Sequence, residues 1–287
     1  MYNVLALNGG GMRGALHVGA LKRISEQYNE EYLYKIFHKG IYGISIGAIL
    51  GCLVAFGFST SEISDILFQF SNVNDIFEPI CIQKCMNVQH RRGIDNGSKL
   101  FEFLIRIFQK KNLDLHTLRV KHANVPLYII ASDLTNIKPV WFGGDAYLWD
   151  ALRSSFALPI IFTPHVIGKT TYVDGAILCE NISTAIPKED LSTTLFSLCY
   201  SYNPKDYLFI LLNCRSIKEI RKIHKKYPNN TCVLVENDTP LFFFKDIPNT
   251  FIYLSDTGYS CMDQFFSSGP SAEIRNSLNT GTSAGPS

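Results

Sequence analysis

The segment Gly43-Ile44-Ser45-Ile46-Gly47 places a serine between two glycines with the G-x-S-x-G spacing of a nucleophile elbow. In such an elbow, a strained strand-to-helix turn presents the serine hydroxyl. The flanking positions must be small, because any side chain there would collide with the adjoining strand and helix. The helix that follows points its positive end toward the oxyanion that forms during acyl transfer. The motif therefore predicts that Ser45 attacks a carbonyl carbon.

A second glycine-rich motif, Gly9-Gly10-Gly11-Met12-Arg13-Gly14, lies between an apolar run and a helical pattern. Glycines let the backbone turn sharply and direct several N–H groups to one point in front of a helix, where an anion is favoured. The anion is either the oxyanion of acyl transfer or the pyrophosphate of a dinucleotide. A dinucleotide site also needs an acidic residue about twenty positions further on, and Glu30 and Glu31 stand there in a polar loop. Taken by itself, the motif leaves both interpretations open.

A serine nucleophile needs a base, and the usual triad supplies a histidine oriented by a carboxylate. Asp174 followed by His224 matches the chain order Ser, Asp, His of α/β-hydrolases. His224, however, lies in the highly charged segment 218–226, KEIRKIHKK, which we expect to be exposed and unsuited to a desolvated base. His17, within the first predicted helix, is expected to be a packing histidine.

Asp174 is the stronger candidate for the base. It ends the β-type run Thr171-Tyr172-Val173 and precedes Gly175 and Ala176, so its oxygens can face a neighbouring loop from a tight turn. The alternative is an ordinary Asp-Gly turn, for which the same residues are typical.

Alternating strands and helices would have to position these residues. Apolar runs predict strands, and helical spacing of apolar residues predicts helices. The predicted strands are Tyr2 to Leu7, a strand ending near Ser45, Leu127 to Ala131, Tyr207 to Asn213 and Thr231 to Val235; the predicted helices are Ala15 to Gln27, Ile46 to Phe56, Gly97 to Gln109 capped by Ser98, and Asp145 to Phe156 stopped before Pro159. The alternation indicates an α/β fold with parallel strands inside its sheet.

The uncharged run Ile41 to Phe58 contains the elbow and is also long enough for a membrane-spanning helix. Gly43, Gly47 and Gly51 even supply the small-residue spacing that membrane helices use for close packing. A short buried strand, a tight turn and a helix enclosed in a large core would be equally apolar. We favour this second interpretation, and therefore expect no transmembrane span.

Composition suits one globular unit: 287 residues, 46% hydrophobic, with a formal charge of only +2, which gives no reason to expect nucleic-acid binding. We expect residues 1–266 to form one catalytic domain and the small, polar segment 267–287 to be a disordered tail. Of eight cysteines, Cys52, Cys214 and Cys232 lie in apolar runs and are expected to be buried thiols. Cys81-x3-Cys85 with His90 lacks a second ligand pair, so no metal site is predicted.

The two glycine motifs, Asp174-Gly175-Ala176 and the block Arg153 to Pro159 (RSSFALP), in that register, together resemble the patatin-like phospholipase family. The likeness runs from about Val4 to Ala185. It implies a three-layer α/β fold with a central, mostly parallel sheet flanked by helices. It also implies a Ser-Asp dyad that uses no histidine, no metal and no cofactor.

Carried onto this chain, the resemblance makes Ser45 the nucleophile and Asp174 the base, with an oxyanion hole formed by the N–H groups of Gly10, Gly11 and Met12 within the loop from Gly9 to Gly14. The implied activity is that of a phospholipase A or lysophospholipase, which cleaves carboxylic esters of glycerophospholipids. An aspartate is a weak base at its reference pKa of about 3.9. We therefore expect a site sheltered from water.

Some details depart from the family pattern or stay open. Ala176 replaces a glycine that many relatives carry, and Cys179-Glu180-Asn181 lacks a proline often found shortly after the base. Both changes affect the expected loop geometry rather than the dyad. Arg13 either meets a lipid phosphate or anchors the glycine loop.

The substrate implies contact with a membrane surface. The N-terminus, MYNVLALNGG, has no basic region ahead of an apolar one, so we expect no secretory signal and a cytoplasmic, peripherally membrane-associated protein. Two segments are candidates for this contact, the aromatic stretch Thr239 to Tyr253 and the basic segment 218–226, although core packing and a solvated helix face explain them as well. The sequence does not indicate an oligomeric state.

Overall fold

The computed structural model describes residues 1–70, 76–79, 82, 88–179, 181–200, 218–236 and 247–268. Its strands are β1 Val4–Leu7, β2 Gly40–Ile44, β3 Gly93–Asp95, β4 Leu127–Asp133, β5 Lys138–Phe142, β6 Ile160–Phe162, β7 His165–Ile167, β8 Thr170–Asp174, β9 Thr194–Tyr200 and β10 Thr231–Val235. Its helices are α1 Gly14–Tyr28, α2 Ile46–Ala55, α3 Thr60–Gln69, α4 Val88–Arg91, α5 Ser98–Gln109, α6 Leu148–Ser155, α7 at residues 218–226 and α8 Ile247–Ser268.

Within the described residues, the central sheet has eight strands. Along it the order is β10-β9-β1-β2-β4-β8-β7, and β5 also pairs with β4. The strands from β10 to β4 are parallel, whereas β5, β8 and β7 join by antiparallel pairing. This mixed but mostly parallel α/β sheet confirms the fold class expected from the sequence.

Two strands share one edge of β4. The last residue of β2, Ile44, pairs with Ile130, and the last residue of β8, Asp174, pairs with the next residue of β4, Ala131. Because β5 pairs with Ile129 to Asp133, it occupies the other edge. The carboxyl ends of β2 and β8 therefore meet head-on.

Helices cover both faces of the sheet, as the alternation of buried side chains in β1 requires. Leu5 and Leu7 belong to a core packed with α1, α2 and α5, whereas Val4 and Ala6 belong to a second core that includes Ile220 and Ile223 of α7. These two cores give the flanked, three-layer arrangement that was expected.

Helices α1 and α8 approach each other very closely. A Cβ atom added at Gly258 would lie 1.9 Å from the carbonyl oxygen of Leu16, and one added at Gly19 would lie 1.7 Å from that of Ser255. Neither position tolerates a side chain. Helix α8 is thus packed backbone to backbone on the helix that follows the glycine loop.

The uncharged run is divided as expected between β2, the turn at Ser45 and α2. Every residue of β2 and α2 is buried in the protein core. In the part of the chain that the structure describes, no helix is both long and apolar enough to cross a membrane. Enclosure in a core thus explains the absence of charge.

Several local predictions need adjustment. Ser98 is the first residue of α5 and not its cap, because Gly97 precedes the helix in a left-handed conformation that favours glycine. Helix α6 begins at Leu148, later than predicted, because the preceding segment turns back to pair Tyr147 with Arg119. Helix α8 includes Ser267 and Ser268, which were expected to begin the tail. The rest of that segment, the predicted strand from Tyr207 to Asn213, Cys81 and Cys85 lie outside the described residues.

Candidate active site

Ser45 lies in the turn between β2 and α2 with φ 56° and ψ −125°. Such a conformation is strained for a residue with a side chain. A Cβ atom at Gly43 would lie 2.5 Å from Cα of Ala48, and one at Gly47 would lie 2.5 Å from the carbonyl oxygen of Asn8. The glycines are therefore required for the reason that the sequence suggested. The N-terminus of α2 directs its dipole at the serine.

Asp174 is brought to this serine by the head-on meeting of β2 and β8. Asp174 is 1% exposed and accepts a hydrogen bond from the N–H of Ala176 at 2.9 Å. Burial raises the pKa of Asp174 to about 6, and the nearby Ser45 hydroxyl and the N–H of Ala176 offset part of that rise. The carboxylate is sheltered, as the sequence led us to expect, and is a better base than an exposed aspartate.

The glycine loop lies directly against the elbow. Gly9 packs on Ser45, since a Cβ atom added there would lie 3.1 Å from Cβ of the serine. A short 3₁₀ turn, Gly11–Arg13, then leads into α1. The N–H groups of Gly10, Gly11 and Met12 donate no hydrogen bond to the described part of the chain. They are available to an external acceptor.

Arg13 does not face the surface. Its side chain is 1% exposed, and its Nε lies 3.7 Å from Oε2 of Glu236, which is equally buried. A buried guanidinium cannot meet the phosphate of a lipid in a membrane. Of the two roles left open by the sequence, the structure favours anchoring of the loop.

The two histidines considered as bases lie elsewhere. His17 is fully buried, and burial lowers its pKa to about 4. Its Nε2 bonds the carbonyl of Asn8, which only accepts, so Nε2 carries the proton and Nδ1 accepts from the Ser197 hydroxyl. The expectation of a packing histidine is confirmed. His224 was expected to be exposed, which is wrong: it is 8% exposed because α7 packs this side on the sheet.

The acidic residue that a dinucleotide would need is also misplaced. Glu30 caps the loop before β2, where its Oε1 accepts hydrogen bonds from the N–H of Tyr32 and from Lys35. It lies before the second strand rather than at its carboxyl end, where the ribose hydroxyls would have to be bound. The geometry therefore does not favour a nucleotide in the glycine loop.

Comparison with known families resolves the choice between these classes of protein. Residues 5–187 match the family model described as "Patatin-like phospholipase". The chain belongs to the patatin-like phospholipase family. The matched segment includes both glycine motifs and Asp174, and it agrees with the extent of the resemblance found in the sequence.

Relatives of this patatin-like protein include viral and bacterial proteins. A probable lipid hydrolase of Invertebrate iridescent virus 6 is 25% identical over 185 residues, which cover 61% of this chain and 60% of that protein. A cGAMP-activated phospholipase of Escherichia coli is 28% identical over 204 residues, or 63% of this chain and 53% of the relative. The chain thus spans little more than half of each of these relatives.

The patatin-like fold is also found in a solved bacterial structure. The crystal structure of VipD from Legionella pneumophila superimposes with a TM-score of 0.54 at 12% identity, covering 93% of this chain and 67% of that one. At this identity the likeness concerns the fold alone.

The patatin-like block from Arg153 to Pro159 has a specific structural role at the site. The hydroxyl of Ser155 accepts from the N–H of Ser45 at 2.9 Å and donates to the carbonyl of Ile130 at 2.6 Å. The carbonyl of Ala157 accepts from the N–H of Asp174 at 3.0 Å. The block therefore fixes the backbone of both members of the Ser45–Asp174 pair.

Asn8 is a buried residue that sequence reasoning missed. Its amide bonds the backbone of Cys199 in both directions, from Nδ2 to the carbonyl at 3.0 Å and from the Cys199 N–H to Oδ1 at 2.7 Å. These bonds hold the start of the glycine loop against β9. The only sequence signal is a polar residue at the end of an apolar strand, which is equally typical of a turn.

Metal and thiol chemistry receive no support from the described residues. No group of three or more histidine, cysteine or acidic side chains lies close enough together there to hold a metal ion. The cysteines described are free, and burial raises the pKa of the Cys52, Cys199 and Cys232 thiols. The expected buried thiols at Cys52 and Cys232 are confirmed, whereas Cys214 lies outside the described residues.

Proposed function

We propose that the protein is a lipid acyl hydrolase of the phospholipase A or lysophospholipase type that cleaves carboxylic esters of glycerophospholipids. Ser45 is the nucleophile and Asp174 the general base. The observation that carries the proposal is the meeting of the carboxyl ends of β2 and β8, which places the Ser45 hydroxyl beside a buried carboxylate whose pKa is raised to about 6. Membership of the patatin-like phospholipase family supports the substrate class.

In the first half-reaction Asp174 accepts the hydroxyl proton while Oγ of Ser45 attacks the ester carbonyl carbon. The carbonyl oxygen becomes an oxyanion, which the N–H groups of Gly10, Gly11 and Met12 stabilise together with the positive end of α2. The tetrahedral intermediate collapses, and Asp174 gives its proton to the leaving alcohol. The fatty acyl group stays on Ser45.

In the second half-reaction a water molecule replaces the alcohol. Asp174 removes a proton from the water as its oxygen attacks the acyl carbon, and the same oxyanion site is used again. When the second intermediate collapses, the proton returns to Oγ of Ser45. The free fatty acid leaves, and neither half-reaction needs a metal or another cofactor.

The substrate places the enzyme at a lipid surface. We propose that it is a cytoplasmic protein that associates peripherally with membranes, because its substrates are held in bilayers. Because Asp174 is buried and Ser45 is only partly exposed, the ester group of the lipid has to enter the site to reach Ser45. Binding of the ester would also exclude water, which competes with the oxyanion for the N–H groups of the oxyanion hole.

The proposal is tested by incubating the protein with vesicles of mixed lipids and identifying the released products by mass spectrometry. Ser45→Ala and Asp174→Asn should each abolish the release of fatty acid while circular dichroism shows an unchanged fold. Matched controls are Ser61→Ala and Asp65→Asn, at exposed positions of α3, which should keep full activity. Full activity in either of the first two variants would remove the dyad.

A Ser-His-Asp triad is the alternative from the sequence. Within the described residues, the carboxylate of Asp174 lies near the Ser45 hydroxyl and accepts a hydrogen bond from the N–H of Ala176, and no histidine bonds it. We therefore expect His224→Ala to retain catalysis, and loss of activity in this variant without loss of folding would favour the triad.

A further inference from the structure

The antiparallel part of the sheet projects beyond the active site. We call it the wing and define it as residues 131–142 and 165–174. The turn between β4 and β5 is hydrogen-bonded to the start of β8, next to the turn between β7 and β8. The N–H of Leu134 bonds the carbonyl of Thr171 at 2.9 Å, and the N–H of Thr171 bonds Oγ1 of Thr135 at 3.0 Å. The two turns therefore form one tip.

The tip lies beyond the carboxyl end of β4, at the end of the sheet where β2 also ends and where open α/β sheets bind their ligands. Thr170 and Asp174 are the first and last residues of β8, which runs antiparallel to β4. The chain from Asp174 back to Thr170 and the chain from Ile130 forward to Leu134 therefore lead away from the site in the same direction. At about 3.3 Å per residue, both turns extend on the order of 13 Å beyond the Ser45–Asp174 pair.

Apolar side chains are exposed at the tip. Ile137 is 69% exposed and Val166 58%, and Leu134 is 37% exposed. Outside the wing, Ile160, the first residue of β6 and three residues after Ala157, is 45% exposed. Single exposed apolar residues are common, but a group of them beside a lipid-hydrolase site marks an interaction surface.

Ile137 and Ile160 have backbone conformations that are unfavourable for their side chains. Ile137 has φ 52° and Ile160 has φ 75°. For a β-branched residue a positive φ is an outlier, and glycine or asparagine would relieve the strain. The folded chain gains no packing from the exposed part of either side chain. A contact with a partner outside the described residues would compensate for this strain.

The exposed charges of the wing are positive. Lys138 follows Ile137, and Lys169 lies in the turn between β7 and β8; both are exposed, and neither forms an ion pair within the described residues. The acidic residue of the tip, Asp133, is buried and accepts hydrogen bonds from the N–H groups of Thr135 and Asn136. It stands opposite Lys138 in the register of β4 and β5, and its pKa is lowered by the side-chain hydrogen bond from Asn136 and also by the charge of Lys138. The tip therefore presents apolar groups flanked by lysines, which complements an anionic surface.

We propose that the tip of the wing docks on the surface of an anionic phospholipid bilayer, with Ile137 and Val166 entering the interface and Lys138 and Lys169 at the headgroup phosphates. This inference rests on the proposed function, since it identifies the surface that brings that site to its substrate. Apolar side chains at an interface reach about 5–10 Å deep. With the tip about 13 Å ahead of the dyad, the lipid has to rise only a few ångströms to reach Ser45.

The proposal differs from both segments suggested by the sequence. Within the described part of α7, Lys222 is paired with Glu219, and Arg221 bonds the hydroxyl of Tyr200. The aromatic stretch Thr239 to Tyr253 lies largely outside the described residues. The wing is the surface for which position, exposure and charge agree.

Ile137→Gly is the decisive variant, because it removes the apolar side chain and relieves the backbone strain together. Binding is measured by sedimentation with vesicles of phosphatidylcholine and phosphatidylglycerol, in a Ser45→Ala background so that hydrolysis does not change the vesicles. We expect binding to fall about tenfold and the melting temperature to stay the same or rise. Lys138→Gln with Lys169→Gln should weaken binding to these vesicles by more than tenfold, but not binding to pure phosphatidylcholine.

Asn112→Gly is the matched control, since Asn112 is exposed and has a similar φ of 58° away from the wing. It should bind vesicles as the unsubstituted protein does. With Ser45 intact, Ile137→Gly should hydrolyse a short-chain monomeric ester at the normal rate.

Unchanged vesicle binding in the Ile137 and lysine variants would overturn the proposal. So would a change of oligomeric state on size-exclusion chromatography, which would assign the tip to a second copy of the chain. Failure of the proposed function is separate, because it would appear as absent hydrolysis with binding unaffected.

Discussion

Ile44 and Asp174 are the last residues of two strands that meet end to end, paired with neighbouring residues of β4. Because Ser45 follows Ile44 directly, the hydroxyl and the carboxylate are brought together by backbone register rather than by flexible side chains. A short loop or a long side chain would leave more freedom than catalysis tolerates. The mixed sheet, with its antiparallel β8, is therefore the feature of the fold on which the site depends.

The raised pKa of Asp174 predicts a pH dependence of activity. A general base acts in its ionised form, so kcat/KM should fall about tenfold per pH unit below the pKa of about 6. The profile is measured between pH 4 and 8 with a soluble ester, so that changes in lipid packing do not affect the rate. A pH-independent rate below pH 5 would show that Asp174 is not the base.

The same pKa predicts how stability changes with pH. A carboxyl group whose pKa is raised on folding stabilises the folded state fully below its unfolded pKa, and this contribution is lost as the pH rises through the folded value. Between a model value of 3.8 and about 6, the unfolding free energy of the protein should therefore fall relative to that of Asp174→Asn. The change should be on the order of 3 kcal/mol. Urea unfolding of the unsubstituted protein and of Asp174→Asn at pH 4 and pH 7 measures this change. The stability difference between the unsubstituted protein and Asp65→Asn should be the same at both pH values.

Ser155 should act as a positioning residue. Ser155→Ala leaves the N–H of Ser45 and the carbonyl of Ile130 without this partner, which should cost about 1–3 kcal/mol of unfolding free energy. Displacement of the serine should lower kcat about tenfold to a hundredfold with little change in KM. Both effects are obtained from denaturant unfolding and steady-state kinetics.

Ser154 provides the matched control for this prediction. It is adjacent and equally buried, but its hydroxyl has no hydrogen-bond partner among the residues that the structure describes. Ser154→Ala should therefore leave the stability unchanged or increase it, and should keep kcat. Equal losses in the two variants would contradict the role given to Ser155.

The buried Arg13–Glu236 pair should matter for stability more than for lipid binding. Arg13→Met leaves Glu236 buried without this cation and should reduce the unfolding free energy by about 3–5 kcal/mol. Arg23→Met is the comparison, because the Arg23–Asp263 pair is partly exposed and should contribute less than about 1 kcal/mol. Thermal unfolding separates the two. A selective loss of affinity for anionic vesicles in Arg13→Met would return the arginine to a role with phosphate.

Backbone strain at the elbow should decide which of two substitutions of Ser45, by glycine or by alanine, gives the more stable protein. At φ 56° and ψ −125° glycine is unstrained whereas alanine is strained. Ser45→Gly should therefore be more stable than Ser45→Ala by about 1–3 kcal/mol. At Ser61, in α3, the order should reverse because glycine weakens a helix by about 1 kcal/mol relative to alanine. Chemical unfolding of the four variants checks both orders, and an unstrained elbow would give equal values at Ser45.

The sequence was sufficient to predict the parts of the site that depend on local chemistry. Gly43 and Gly47 were required by the turn around Ser45, and the helix and strand that flank it were placed correctly because their apolar runs are long and unbroken. The partner carboxylate, Asp174, could be chosen over an ordinary turn only through the order of the motifs along the chain. That its turn faces the elbow is a property of the sheet register.

The remaining features depend on distant residues or oppose local preference. The bonds of Asn8 with Cys199 and of Arg13 with Glu236 connect segments far apart in the chain, and no local pattern indicates them. Strands β5 and β7 are short and partly exposed, so they lack a clear apolar period. Ile137 would be expected in extended backbone, because β-branched residues favour strands. The proposed division of the chain into residues 1–266 and a tail stays a prediction.

The family match ends at residue 187, but β1 is paired on one side by β9, Thr194–Tyr200, and α1 is covered by α8. A fragment limited to the matched residues would expose the hydrogen-bonding edge of β1 and the apolar surface of α1. Open strand edges and uncovered helix faces recruit other chains, so such a fragment should aggregate rather than fold. The homologous segment and the cooperative folding unit are therefore not the same length, and recombinant work on this chain should retain everything through Ser268.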